Sequence, residues 1–267
     1  MKLLACPKCH QQLHLENKTL KCENNHCYDI SKRGYINLLL NPDKATNNPG
    51  DSKESLVARK AYLNKGYYDP ILNQVITCID EFKHQDDLSI LDLGCGEGYY
   101  TQGLKKHFEN SDIYGLDISK IAMATRYRKD VTWLVGNSKN IPILDHSLDF
   151  ICALFTVVNQ DELKRALKED GYIVHVTANN QHLIEIKELI YDEIKVKSDK
   201  YIRLDFNQVK SYDFKEKVHI SNREDALNLL MMTPHYYHIK KEKRGVLDTL
   251  QGLDITIDIK VTVYALS

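Results

Sequence analysis

The 267-residue chain has no run of about 18 or more apolar residues, so no membrane-spanning helix is expected. It has almost no net charge, with 36 Lys and Arg against 37 Asp and Glu, and so offers no global electrostatic argument for a nucleic-acid partner. Its opening residues, Met1-Lys2-Leu3-Leu4-Ala5, lack an apolar core followed by a small-residue cleavage site, which predicts a cytoplasmic location. The cysteines are not an even set. There are seven, four of them within the first 27 residues, and in a reducing compartment such crowding means metal more often than disulfide. What is present is an ordinary globular composition, 43% hydrophobic and 27% charged, in a chain long enough for one large domain or a core domain with a small appendage.

The charge that exists is unevenly placed. Residues 1–66 carry 11 Lys and Arg against 6 Asp and Glu, and the rest of the chain carries 25 against 31. A basic N-terminal part on an acidic body suggests a polyanionic partner met through that part. The same part holds Cys6-Pro7-Lys8-Cys9 and, after twelve intervening residues, Cys22-Glu23-Asn24-Asn25-His26-Cys27. A hairpin from Gln11 to Lys21, with Asn17 near its tip, would bring the second group back against the first. Tetrahedral Zn²⁺ needs four soft or borderline ligands, and a piece of about 30 residues lacks the core to fold without one. Cys6, Cys9 and Cys22 supply three; His26 and Cys27 compete for the fourth place. The zinc would be structural, with no open position for chemistry.

From Ser31 to about Lys53 the chain is rich in turn formers, among them Pro42, Pro49 and Gly50, and reads as a hinge. Ser52 is placed to cap a helix through Leu63, and Asp69-Pro70 opens a second one with Ile71, Leu72, Val75, Ile76, Ile79 and Phe82 at helical spacing. Gly66-Tyr67-Tyr68 lies between them.

Ser89–Leu93 is a short buried strand, followed by Gly94-Cys95-Gly96-Glu97-Gly98 and a helix from Tyr99 to about Phe108. Glycines here permit positive φ and close approach of backbone to a ligand, and a helix N-terminus favours negative groups. The dinucleotide fingerprint would need a third glycine at Tyr99, and the P-loop pattern is missing, so both of those readings fall back. Residues 113–117 form a second strand ending in Asp117, which is placed for the two hydroxyls of a ribose. A third strand, Val131–Val135, ends at Gly136-Asn137-Ser138; a fourth covers 150–155. A helix from about Asp161 to Lys168, a turn at Glu169-Asp170-Gly171 and a fifth strand at 172–177 follow. The tail adds a strand at 217–220, a helix through 227–232 and an alternating run, 255–265, suited to a final antiparallel strand. His235-Tyr236-Tyr237-His238 and Lys240, Lys241, Lys243 and Arg244 offer stacking and cationic groups for unpaired bases.

Asp92-Leu93-Gly94-Cys95-Gly96-Glu97-Gly98 resembles motif I of class I S-adenosylmethionine-dependent methyltransferases. With the cysteine cluster, Lys32–Leu39, Gly50-Asp51-Ser52, Ala58-Arg59-Lys60, Gly66-Tyr67-Tyr68, His182-Leu183 and Met232-Thr233-Pro234, the chain looks almost end to end like the bacterial 23S ribosomal RNA guanine-N1 methyltransferases, the RlmA-like family. The resemblance implies an α/β fold with a Rossmann-like seven-stranded sheet and a small N-terminal zinc-binding domain. It also implies S-adenosylmethionine and zinc as cofactors, 23S ribosomal RNA as partner, and a homodimer. The implied division is 1–33 for a zinc ribbon that recognises RNA, 34–84 for a linker and helices over the cofactor site, and 85–267 for the methyltransferase domain. Cys6, Cys9, Cys22 and His26 would bind zinc, and Tyr68, Gly96, Glu97 and His182 would line the methyl-donor site beside Gly94, Gly98, Asp117 and Asn137. The loop after the fourth strand departs from the family: Thr156-Val157-Val158-Asn159 stands where Ala/Ser-Pro abuts the target base. Asn159 is a candidate to pair with a guanine edge, and Asp145, Asp149 and His182 are candidates to take a proton. The competing readings are a small-molecule methyltransferase stabilised by its zinc ribbon and a non-catalytic RNA-binding relative.

Overall fold

A computed structural model describes residues 1–40, 52–123, 130–194, 204–243, 245 and 251–266. The chain opens with three antiparallel strands, β1 (His14–Glu16), β2 (Thr19–Lys21) and β3 (Cys27–Asp29). Asn17 turns the first hairpin in the left-handed region at φ 58°, which asparagine tolerates better than most residues. There follow β4 (Ile36–Asn37), α1 (Lys53–Leu63), α2 (Asp69–Phe82), β5 (Ser89–Leu93), α3 (Tyr99–His107), β6 (Asp112–Asp117) and α4 (Lys120–Met123). Next come β7 (Thr132–Val135), β8 (Leu148–Leu154), α5 (Gln160–Ala166), β9 (Leu167–Ala178) and α6 (Ile184–Ile190). The chain closes with β10 (Asn207–Ile220), α7 (Arg223–Met231) and β11 (Leu253–Ala265). Ser52, Asn159 and Asn222 each cap a helix by accepting a backbone N–H three residues on.

The large sheet runs β10-β11-β9-β8-β5-β6-β7-β4, antiparallel at β10, β11 and β9 and parallel elsewhere. Seven of these strands are the ones expected, and β4 adds an eighth. The segment read as a hinge thus begins with ordered sheet: Ile36 and Leu38 are buried, and Leu38 N–H donates to Val135 O at 2.8 Å. Pro42, Pro49 and Gly50 lie outside the described residues.

The turn expected at Glu169-Asp170-Gly171 is instead part of β9. Pairing slips between Leu148 opposite Leu167 and Phe150 opposite Tyr172, so the irregularity is absorbed within the strand. A Cβ on Gly171 would come within 2.9 Å of Leu148 O, so glycine is needed where the strands resume contact.

Strand residues alternate between two apolar clusters, one per face of the sheet. Ile90, Phe150 and Cys152 join Ile71, Val75 and Ile79 of α2 on one face. Leu91, Leu93 and Ile151 join Leu134, Ile141 and Ile143 on the other. That second cluster continues into the first strands through Leu4, Leu13, Leu20 and the side chains of Cys6 and Cys22. Ala5 N–H donates to Pro142 O and Leu144 N–H to Leu3 O. The N-terminal piece therefore shares its core with the main body.

Candidate functional site

The first knuckle bends back on itself: Cys9 N–H and His10 N–H both donate to Cys6 O. A matching turn has Asn25 N–H donating to Cys22 O. These turns gather Cys6, Cys9, Cys22 and His26, whose donor atoms all lie within 4.8 Å of one another. His26 Nδ1 is 3.4 Å from Cys6 Sγ, 3.5 Å from Cys9 Sγ and 3.4 Å from Cys22 Sγ, and Cys9 Sγ is 3.7 Å from Cys22 Sγ. A tetrahedron around zinc, with Zn–S about 2.3 Å and Zn–N about 2.05 Å, has edges of about 3.6 Å (S to N) and about 3.8 Å (S to S). The donor set fits that ion. Cys27 points away, exposed, toward Asn25 O. The Gln11 backbone holds the Cys9 thiol down to about 6, whereas burial pushes the Cys22 thiol up. At Cys22 burial outweighs the hydrogen bond from the His26 backbone.

The second site is a cavity of about 840 Å³ at the C-terminal ends of β5, β6, β8 and β9, covered by α1 through Leu56, Arg59 and Leu63. Gly94, Gly96 and Gly98 have φ of 73°, 52° and 90°, which only glycine adopts without strain. A Cβ on Gly94 would lie 2.4 Å from Thr156 Oγ1, so the loop and the segment after β8 are in tight contact. Asp117 is held by two backbone donors, Gly96 N–H to Oδ2 and Ser119 N–H to Oδ1, each at 2.8 Å. Each carboxylate oxygen keeps acceptor capacity beyond its one bond. Glu97, buried, accepts Tyr99 N–H at the start of α3, where a negative group meets the positive end of the helix. Asn137 turns its own loop by accepting Lys139 N–H and lines the cavity.

Tyr68 and His182 come together on the opposite wall, with ring centroids 6.2 Å apart. Burial lowers the His182 ring to about 4, so it is neutral at pH 7. Its Nδ1 faces Asp258 N–H at 3.3 Å and must be the accepting nitrogen. The Tyr100 hydroxyl is buried at this cavity with no hydrogen-bond partner among the described residues. An orphaned hydroxyl, a glycine cradle and a fixed carboxylate fit a nucleoside with a polar tail, as in S-adenosylmethionine.

Seven of the eight residues expected at the donor site line this one cavity: Tyr68, Gly94, Gly96, Glu97, Asp117, Asn137 and His182. Gly98 is not on its wall and instead starts α3 as the residue before Tyr99. Thr156, at the start of the departing loop, lines the cavity too, and so do Arg59, Tyr100 and Phe155, whose local spacing does not show that α1 and the end of β8 close over the glycines. Further expectations are corrected. Asn159 does not line this cavity; its side-chain oxygen accepts Glu162 N–H and caps α5. Asp145 pairs with Arg165, and Asp149 accepts Ser89 N–H and pairs with Lys168; neither lines this cavity. In the basic tail segment, Lys240 and Lys243 both pair with Asp192, whose carboxyl they hold down to about 2; Arg244 lies outside the described residues.

Residues 4–45 match the family described as "RlmA, N-terminal", and residues 90–171 match "Methyltransferase domain". The chain is 27% identical to a Bacillus subtilis protein provisionally named 23S rRNA (guanine-N(1)-)-methyltransferase YxjB, over 98% of this chain and 96% of that one. It is 28% identical to the 23S rRNA (guanine(748)-N(1))-methyltransferase of Streptomyces fradiae, over 71% and 68%. Among solved structures, a provisionally assigned type II methyltransferase of Anaeromyxobacter dehalogenans aligns with a TM-score of 0.52 at 15% identity, over 73% of this chain and 95% of that one. That likeness concerns the fold. Among the described residues no helix is long and apolar enough to cross a membrane. A zinc-ribbon match at one end, a methyltransferase-domain match behind it and 27% identity to the Bacillus subtilis protein along nearly the whole length make the chain similar throughout to the RlmA-like methyltransferases.

Proposed function

We propose that the chain transfers the methyl group of S-adenosylmethionine to N1 of a guanine in 23S ribosomal RNA. One junction carries this reading. Asn140 Nδ2 donates to Pro7 O inside the first zinc knuckle at 2.8 Å, and the turn that holds Asn140 also presents Asn137 and Ser138 to the cavity. The ribbon, with the basic excess of residues 1–66, is thereby fastened beside the pocket, an arrangement suited to a large polyanion.

S-adenosylmethionine supplies an electrophilic methyl group on a cationic sulfonium, so the work of the protein is alignment and exclusion of water. In this reading Gly94 and Gly96 let the backbone approach the donor, Gly98 turns the loop into α3, Asp117 accepts from the ribose hydroxyls, and Asn137 meets the adenine edge. Arg59 faces the donor carboxylate, while Tyr68, Glu97 and His182 shape the remaining wall. Cys6, Cys9, Cys22 and His26 hold zinc, which keeps residues 1–33 folded for RNA recognition and takes no part in transfer.

Guanine N1 carries a proton and lies on the pairing edge, so a paired target must be turned out of its helix. His182 is not suited to take that proton, since its ring stays neutral down to about pH 4. A cytoplasmic homodimer completes the proposal, and light scattering of the zinc-loaded protein tests the dimer. The reaction is tested with labelled S-adenosylmethionine and protein-free RNA from a strain lacking this protein, followed by nucleoside analysis. 1-Methylguanosine in large-subunit RNA is the expected product. No incorporation by protein with verified zinc content and donor binding would refute the reading.

A further inference from the structure

Phe155 ends β8 in an unusual way. It is a bulky residue in the left-handed region at φ 54°, where aromatic side chains are rare outliers. Leu183, next to His182, has the same φ of 54°. Two non-glycine residues in a costly conformation thus converge on one ring pair, Phe155 against His182, with centroids 5.8 Å apart and planes 24° from parallel. Strain of this kind persists where the surrounding structure enforces it, and it concentrates at functional sites.

Exposure separates the two rings. His182 is 9% exposed, whereas Phe155 is 43% exposed and Val157, two residues on, is 74% exposed. The preceding strand residues, Ile151 to Ala153, are fully buried. A simple packing role would turn Phe155 inward with them. Instead its ring stands at the rim of the cavity that holds the glycine loop and Asp117, one residue before the Thr156 side chain that touches Gly94.

We infer that Phe155, backed by the ring of His182, is the stacking surface on which an extruded purine of single-stranded RNA is received for methyl transfer. This rests on the ribosomal RNA reading above. An aromatic face binds the π-surface of a base with little regard to sequence, so Phe155 supplies affinity and orientation rather than base identity. The neutral state of His182, enforced by burial, lets the two rings pack face to face without a buried charge.

The test compares wild type with Phe155→Ala, Phe155→Leu, Phe155→Tyr and Phe155→Gly in donor binding, in methyl transfer to large-subunit RNA from a strain lacking the protein, and in Tm. Phe155→Ala should lower kcat/KM for RNA by about ten- to a hundredfold, in line with loss of one base stack, a much larger factor than the change in donor Kd that comes from losing a ring at the cavity rim. Phe155→Leu keeps apolar bulk without a π-face and should lose transfer as well; Phe155→Tyr should retain it. Phe155→Gly relieves the left-handed strain but gives up the ring, and should transfer as poorly as Phe155→Ala. Donor binding that weakens in step with transfer, or Phe155→Leu that transfers like wild type, would overturn the inference. If wild type methylates no RNA, the functional reading falls and the stacking surface with it. If wild type methylates RNA and Phe155→Ala does so equally well, the stacking surface alone falls.

Discussion

Gly94→Ala offers a quantitative test of how the cofactor loop and the β8 loop depend on each other. Gly94 has φ 73°, and a Cβ there would lie 2.4 Å from Thr156 Oγ1 and 2.8 Å from Thr156 Cβ. The left-handed conformation costs a non-glycine residue about 1–2 kcal/mol. Forcing aside a branched side chain costs about 1–3 kcal/mol more. The expected total is about 2–5 kcal/mol, which lowers the Tm of a chain this size by roughly 4–10 °C. Thr156→Gly removes both atoms that the new Cβ would strike. In the double variant the steric part should vanish and the conformational part remain, giving a coupling of about 1–3 kcal/mol in the favourable direction. Urea unfolding of the zinc-loaded wild type, the two single variants and the double variant measures this cycle. Additivity within about 0.5 kcal/mol would show that Thr156 does not reserve the space at Gly94, and the reasoning would fail.

Removal of zinc by a chelator should lower the Tm of the whole chain in one transition and weaken donor binding. The ribbon shares buried Leu4, Leu13 and Leu20 with Leu134, Ile141 and Ile143, and Pro7 O holds Asn140 beside the cavity. Two separate transitions with the upper one unmoved would refute this. Acidification should destabilise the fold through His182. Its folded value, about 4, is below the unfolded value of 6.5, so between those limits the unfolded chain takes up a proton that the folded chain refuses. Stability is therefore fully present above pH 6.5 and is lost as pH falls toward 4. From about pH 7.5 to about pH 5.5 the loss should be on the order of 1 kcal/mol. His182→Asn should abolish that part of the difference in urea titrations, and an unchanged pH dependence would exclude His182 as its source.

The order of strand, glycine loop and helix from Ser89 to His107, and the identity of the zinc donors other than the choice between His26 and Cys27, are legible along the chain. Such signals are local: glycine is needed at positive φ, cysteine pairs need fixed spacing, and apolar residues repeat at the period of their element. The turn expected at Glu169-Asp170-Gly171 shows the limit, since three polar and flexible residues read as a turn until the pairing of Leu167 with Leu148 and of Tyr172 with Phe150 on either side holds them within one strand. Asn159 shows another, because a side chain suited to a base edge lies off the cavity wall and caps the nearest helix. Tertiary structure alone sets Arg59 and Phe155 at the cavity, turns His182 neutral, and joins Pro7 to Asn140 across 133 residues of chain. Those outcomes depend on which surfaces meet and which groups lose water, and packing between distant segments decides both.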